Sequence, residues 1–318
     1  MIVTVTLNPT LDKTLSVPVL RPGEVHRARF LRQDIGGKGI NVSRALRALG
    51  VASIPIGFLG GATGRAMRDG LVAQGYDARF VEVPGETRQN LTLLDEATGV
   101  YTKINEPGPT VGPEHLAAFH ALVAELAVPG DLWALCGSLP PGAPADFYAD
   151  LVTALQARGA AAILDTSEEA LRLGLAARPA GIKPNSEEAA QALGQAVSSD
   201  EEHVVAVRRL CELLAPATPP APVVCLTRGA RGLLLAAGGE LVTASPPPVL
   251  ARSPVGAGDA TLAGLLWALA EGCDAAEMAR RAVACGTAAA MQEGTGVGTR
   301  SLVDELRPQV RVAHVFVD

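Results

Sequence analysis

The stretch Leu132-Trp133-Ala134-Leu135-Cys136-Gly137-Ser138-Leu139-Pro140-Pro141-Gly142 reads as a short apolar strand that stops in a loop. Helical spacing follows over about Ala145–Ala157, and a second apolar strand follows at Ala161-Ala162-Ile163-Leu164. A continuous apolar run suits a strand buried on both faces, and a helix between two such strands brings the chain back for parallel pairing. The unit is therefore βαβ, with a right-handed crossover. Downstream, Val223–Leu226 repeats the strand pattern, and helices are expected at Glu202–Leu214, Ala257–Ala270 and Ala275–Gln292. Upstream, the heptad Met1–Leu7 alternates and is rich in Val, Ile and Thr, so it too reads as a strand. A helix through Ile40–Leu46, a strand at about Ser53–Phe58 and a helix at about Thr63–Gln74 continue the alternation. The fold class is α/β, a three-layer sandwich with a mostly parallel central sheet.

Two stretches break the rhythm. Residues Thr14–Gln33 are extended but interrupted by Pro18, Pro22 and Gly23, and Ala78–Ile104 is strand-like throughout, with Asp95-Glu96-Ala97-Thr98-Gly99 as a hairpin turn. They suit a small sheet projecting from the body, as a lid or a dimer surface.

Composition narrows the functional classes. The chain has 318 residues, 48% hydrophobic and 19% charged, which excludes general disorder. A net charge of −6 with scattered basic residues argues against nucleic-acid or membrane-surface binding. No run approaches the roughly 18 apolar residues of a membrane span, and the N-terminus lacks the basic start of a signal peptide. Five cysteines without a CxxC pair, and five dispersed histidines, speak against a zinc site or a disulfide framework. A cytoplasmic protein with reduced thiols is expected.

Several glycine-rich segments carry candidate chemistry. Val255-Gly256-Ala257-Gly258-Asp259 precedes leucines 262, 265, 266 and 269, one face of an amphipathic helix. The glycines thus fall at a helix N-terminus, where free N–H groups attract phosphate. Asp259 there could take a proton from a hydroxyl, or simply complement the helix dipole. Gly36-Gly37-Lys38-Gly39-Ile40-Asn41 is either a ligand loop, with Asn41 toward sugar hydroxyls, or a tight turn into a helix. It lacks the Walker A spacing. The loop at Cys136–Gly142 follows a strand end, where open α/β sheets bind ligands. Asn185 and Glu188, three apart in Lys183-Pro184-Asn185-Ser186-Glu187-Glu188, could orient magnesium or form a capping box. Thr227-Arg228-Gly229-Ala230-Arg231-Gly232 ends another strand, near nucleotide phosphates or as a surface turn.

The set Asn8-Pro9-Thr10-Leu11-Asp12, Gly36–Val42, Gly137-Ser138-Leu139-Pro140, Lys183-Pro184-Asn185 and Val255–Asp259 resembles the ribokinase-type (PfkB) carbohydrate kinase family, in order and spacing over essentially the whole chain. Thr87-Arg88-Gln89-Asn90 and Thr102-Lys103-Ile104-Asn105-Glu106-Pro107-Gly108-Pro109 are similar to its sugar-phosphate kinases. The resemblance implies a ribokinase-like domain over 1–318 with a β lid from about 12–35 and 84–106, and a homodimer through that lid. It implies ATP and Mg²⁺ as cofactors and a small-molecule sugar phosphate as substrate.

By the same resemblance, Asp259 is the base and Gly256, Ala257 and Gly258 the anion hole. Asp12, Gly37 and Asn41 hold sugar hydroxyls. Arg88 and Lys103 hold the phosphate already on the substrate, with Lys38, Ser138 or Arg27 as further candidates. Lys183, Asn185, Thr227, Gly229 and Gly232 surround the nucleotide, and Asn185 and Glu188 the metal. Cys136 and Thr227-Arg228 depart from the usual serine and serine-leucine. The implied reaction phosphorylates fructose 1-phosphate, or tagatose 6-phosphate in the reverse orientation. A non-catalytic sugar-phosphate sensor and a nucleoside kinase are the readings of other classes. A dianionic phosphate needs charge-assisted partners, and Arg88 offers a fork that Lys103 cannot.

Overall fold

A computed structural model describes residues 1–215 and 221–315. The chain opens with β1 (Ile2–Thr6), β2 (Thr10–Val17), β3 (Arg29–Gly36), α1 (Lys38–Ala48), β4 (Ile54–Gly60), α2 (Gly61–Ala73) and β5 (Arg79–Val83). The strands β6 (Gln89–Asp95) and β7 (Tyr101–Asn105) then precede α3 (Pro113–Leu126), β8 (Leu132–Cys136), α4 (Phe147–Gln156) and β9 (Ala161–Asp165). Next come α5 (Glu168–Ala176), β10 (Gly181–Ile182), α6 (Ser186–Leu193), α7 (Asp200–Leu214), β11 (Val223–Thr227), β12 (Leu233–Ala237) and β13 (Glu240–Ser245). The chain ends through α8 (Ala257–Ala270), α9 (Ala275–Ala290), α10 (Arg300–Leu306) and β14 (Arg311–His314).

Ten strands form the main sheet in the order β14-β13-β12-β11-β10-β9-β8-β1-β4-β5. It is parallel from β5 to β11 and antiparallel from β11 to β14. Alternation along the strands divides the core in two. Ala134 and Cys136 of β8 pack with α1, α8 and α9 on one face. Trp133 and Leu135 of the same strand pack with α3, α4 and α7 on the other.

The expected helices and strands appear within a few residues of their predicted ends, with three corrections. Residues 79–83 pair with β4 at the edge of the main sheet and so do not join the small one. The antiparallel strands β12, β13 and β14 and the two-residue β10 were not read from the sequence, although Gly238-Gly239 between two apolar runs is a hairpin signal. Finally, α8 is not amphipathic: every residue from Asp259 to Ala268 is buried, because α1 packs on one side and α9 on another. A helix apolar all round is a buried helix.

Gly264 lets α8 and α9 approach. A Cβ there would lie 2.6 Å from the Arg281 carbonyl oxygen and 2.9 Å from Ala282 Cα, both backbone atoms that cannot swing aside. Gly264→Ala is expected to destabilise the protein by about 1–3 kcal/mol net, even though alanine gains about 1 kcal/mol of helix propensity. A lower urea midpoint at unchanged m-value would register this, and a higher midpoint would refute it.

The second sheet has four strands in the order β3-β2-β6-β7. Its middle pair, β2 and β6, is parallel, and its outer pairs are antiparallel. The chain enters it directly from β1 and leaves through Gly36 into α1, then returns at 84–88 and departs again at 106–112. Register places Asp12, Asn90 and Asn105 side by side, with Thr14, Thr92 and Lys103 two residues along on the same face. Leu15, Phe30, Leu93 and Ile104 lie on the opposite face.

Candidate active site

The carboxyl ends of the parallel strands define the site. Residues 7–9 follow β1, Gly137 and Ser138 follow β8, Asp165 closes β9, Lys183 follows β10 and Thr227 closes β11. The connections diverge on either side of β1, which pairs with β8 and β4, so this is the crevice where an open α/β sheet receives ligands.

On one side stands the small sheet. Asp12 accepts hydrogen bonds from Asn90 Nδ2 at 3.1 Å and Thr10 Oγ1 at 3.3 Å. Burial raises its pKa, against the pull of those hydrogen bonds and of Arg88. Arg88 donates from Nη2 to the Asn8 carbonyl at 2.9 Å and from Nη1 to the Glu106 carbonyl at 3.2 Å. Its Nε is buried without a partner. Burial lowers the Arg88 pKa, opposed by Asp12. A Cβ at Gly36 would meet Asp12 Oδ2 at 2.2 Å, so a side chain there would displace that carboxylate.

At the centre, Gly256 adopts φ 80° and caps α8, which places Ala257, Gly258 and Asp259 in the first turn. Asp259 is buried, and its Oδ2 accepts a hydrogen bond from Asn41 Nδ2 at 2.8 Å. Burial first, and then the carboxylate of Asp165, pushes the Asp259 pKa up to about 6; Asn41, Lys183 and Lys38 oppose the rise. Asn41 Oδ1 is buried without a partner. The Ala257 N–H donates a long hydrogen bond of 3.3 Å to the Pro254 carbonyl; a carboxylate poised near neutrality at this helix N-terminus can accept a proton while the N–H groups of the first turn hold an anion.

On the far side, Lys183 is buried, with Nζ 3.2 Å from Asp165 Oδ2 and close to the first turn of α8. Lys38 lies 3.1 Å from Asp165 Oδ1 and 3.9 Å from Glu188 Oε1. Burial disfavours both ammoniums, yet the neighbouring carboxylates outweigh it and raise both pKa values. Asp165 is opposed by burial but held below the usual carboxylate range by Lys183 and Lys38.

Asn185 and Glu188 form a reciprocal capping box at the start of α6, with bonds of 2.8 and 2.9 Å. Among the described residues no three His, Cys, Asp or Glu side chains gather as a metal site. One carboxylate and one amide suit a divalent cation carried mainly by a ligand's phosphates. Thr227 backs Asn185 through a bridge, and Gly229 and Gly232 bracket the tight turn after β11. Arg228 turns onto Asp200 at 2.9 Å and Thr243 at 2.9 Å.

Asp12, Asn41, Arg88, Lys183, Asn185 and Asp259 thus converge on one crevice. Lys103 is exposed on β7, Ser138 is exposed after β8, and Arg27 is exposed in the loop between β2 and β3. Lys38, expected beside the substrate phosphate, has its ammonium among Asp165 and Glu188. Asp165 was not singled out from the sequence, and Asn90 was quoted within its motif without a role. An acid at the end of an apolar strand was the available signal for Asp165.

Residues 5–301 match the profile of the pfkB family carbohydrate kinases. A 1-phosphofructokinase of Rhodobacter capsulatus is 39% identical over 89% of this chain and 88% of its own. A tagatose-6-phosphate kinase of Staphylococcus epidermidis is 31% identical over 99% of this chain and 100% of its own. Among solved structures, phosphofructokinase-2 from Escherichia coli, in complex with potassium, superposes with a TM-score of 0.90 at 29% identity, covering 97% of this chain and 98% of that one.

Proposed function

We propose, because this chain belongs to the pfkB family of carbohydrate kinases, that it transfers the γ-phosphoryl group of ATP to the 6-hydroxyl of fructose 1-phosphate. The observation that carries the reading is the buried Asp259–Asn41 pair, set between the Arg88–Asp12 side and the Lys183–Asn185 side. In this reading Asp12, Gly37 and Asn41 hold sugar hydroxyls, and Arg88 holds the 1-phosphate with help from Lys103, Ser138 or Lys38. Lys183, Asn185, Thr227, Gly229 and Gly232 meet the nucleotide.

Asp259 accepts the proton of the acceptor hydroxyl as its oxygen bonds to the γ-phosphorus. The bond from that phosphorus to the ADP oxygen breaks, and the N–H groups at Gly256, Ala257 and Gly258 receive the charge that develops. Bound magnesium, for which Asn185 and Glu188 are the candidate holders, supplies neutralisation of the phosphate oxygens. Both substrates are charged metabolites of the cell interior, so a cytoplasmic site of action is part of the proposal.

The small sheet would also join a second copy. Phe30 and Ile104, on its face away from Asp12, are 56% and 52% exposed, and sedimentation showing only monomer at working concentration would remove this element.

The decisive experiment offers fructose 1-phosphate, tagatose 6-phosphate, fructose 6-phosphate and fructose with ATP and Mg²⁺, and follows ADP release. The highest kcat/KM is expected for fructose 1-phosphate. A preference for tagatose 6-phosphate would reverse the sugar's orientation, and activity on fructose alone would sink the proposal.

Asp259 also sets a pH dependence. The base works ionised, and its pKa is about 6, so kcat/KM is expected to fall about tenfold per pH unit below that value. A profile flat down to pH 5 would exclude a single base of this kind.

A further inference from the structure

Asp165 is 1% exposed, yet it is a charged group with two cations on it: Lys38 at 3.1 Å on Oδ1 and Lys183 at 3.2 Å on Oδ2. Burying a carboxylate and an ammonium, as at Asp165 and Lys183, costs several kcal/mol in lost hydration, so apolar substitutes at such places are often neutral or stabilising. What the arrangement provides is placement. Lys38 is the first residue of α1 and projects across the mouth of the crevice against Gly137. Lys183 comes from the opposite wall, at the end of β10, and lies against Gly258. One carboxylate therefore fixes two ammoniums that arise 145 residues apart, and both lie within electrostatic reach of Asp259 and Glu188. In the kinase reading, a phosphoryl group passes from the Asn185–Glu188 side toward Asp259, and so past these two cations. Glu188 Oε1, 3.9 Å from Lys38, marks the nucleotide end of that path.

We propose that Asp165 is a positioning residue for phosphoryl transfer, which holds Lys38 beside the path of the transferring group so that Lys38, not only the helix N-terminus, takes up its charge. The inference rests on the kinase reading above and moves Lys38 from the sugar phosphate to the reacting phosphoryl group. Lys38 follows Gly37 in the loop that meets the sugar, so the two substrates share a single strand of backbone. A cation in transit between them is worth most at the transition state, where charge is spread over the equatorial oxygens.

The test is a double-mutant cycle of Lys38→Met and Asp165→Asn, with steady-state kinetics on whichever ketohexose phosphate the wild type turns over. Lys38→Met is expected to lower kcat by about 10²-fold, with KM for the sugar phosphate changed by less than about threefold. Asp165→Asn is expected to lower kcat similarly, and the double variant to be little worse than either single one, because both remove the same placed charge. Fold effects that multiply in the double variant would overturn the proposal. If Asp165→Asn does not fold, Lys38→Met decides alone: Lys38 is 38% exposed, and its loss leaves Asp165 paired with Lys183. Wild-type kcat in that variant, or a loss confined to KM for the sugar phosphate, refutes the assignment. A wild type inactive on every sugar phosphate would instead sink the kinase reading beneath it.

Discussion

Asparagine in place of Asp259 is expected to lower kcat by about 10²–10⁴-fold while leaving sugar-phosphate affinity within about threefold. The substitution keeps an oxygen that can accept the 2.8 Å hydrogen bond from Asn41, but it removes the group that can hold a proton. It should not harm the fold. The native pKa of Asp259, about 6, lies above its ordinary 3.8, so at pH 7 the folded protein carries a charge that it disfavours, mainly through burial and the repulsion of Asp165. Taking the charge away is therefore neutral or stabilising. A thermal midpoint equal to or above that of the wild type, with turnover collapsed, is the expected pair of results. Turnover within threefold of the wild type would remove Asp259 from the chemistry, and the sugar-phosphate sensor would become the better account.

The second large effect is expected at Arg88. Its two Nη atoms are already committed to backbone carbonyls at Asn8 and Glu106, which fixes the plane of the guanidinium. Its buried Nε has no partner. An anion arriving beside it gains a charge-assisted hydrogen bond in a desolvated place. Arg88→Ala is expected to cost about 2–5 kcal/mol, or roughly 30- to 5,000-fold in kcat/KM, mostly as a raised KM for the sugar phosphate. Arg88→Lys should recover only part of this, since a point charge cannot reproduce the planar fork. A specific role is separated from a structural one by the nucleotide: KM for ATP at saturating sugar phosphate should barely move. A loss below about threefold would transfer the phosphate contact to another cation, and intact activity on an unphosphorylated acceptor would favour a nucleoside kinase.

What could be read in advance depended on how local the cause was. The βαβ order, the start of α8 at Ala257 and the Asn185–Glu188 cap follow from spacings of a few residues, and spacing is what a sequence displays. The burial of α8 on every side was hidden, because leucines at 262, 265 and 266 have the same spacing whether one neighbour or three surround the helix. Residues 79–83 were equally ambiguous: an extended stretch carries no label for the sheet it joins, and the choice is made by pairing with β4. Lys38 and Asp165 are 127 positions apart, and their meeting depends on the adjacency of β1, β8 and β9. No motif spans such a gap, so the sequence named the lysine for its neighbours in the chain rather than for the carboxylate it faces.

The chain crosses between the small sheet and the body at residues 7–9, 36–37, 84–88 and 106–112, and Asp12, Arg88 and Asn90 sit beside those crossings, with Lys103 further out on β7. The residues around Asn185 and Thr227 lie wholly on the body. In the proposed reading, Asp12, Arg88 and Lys103 thus carry part of acceptor recognition on segments apart from the nucleotide residues, while Asn41 contributes from α1 on the body. Under that proposal, residues 10–36 and 84–106 form a cassette whose exchange with a relative's is expected to shift which sugar phosphate is taken, within the limits set by Asn41, while the residues around Asn185 and Thr227 are untouched.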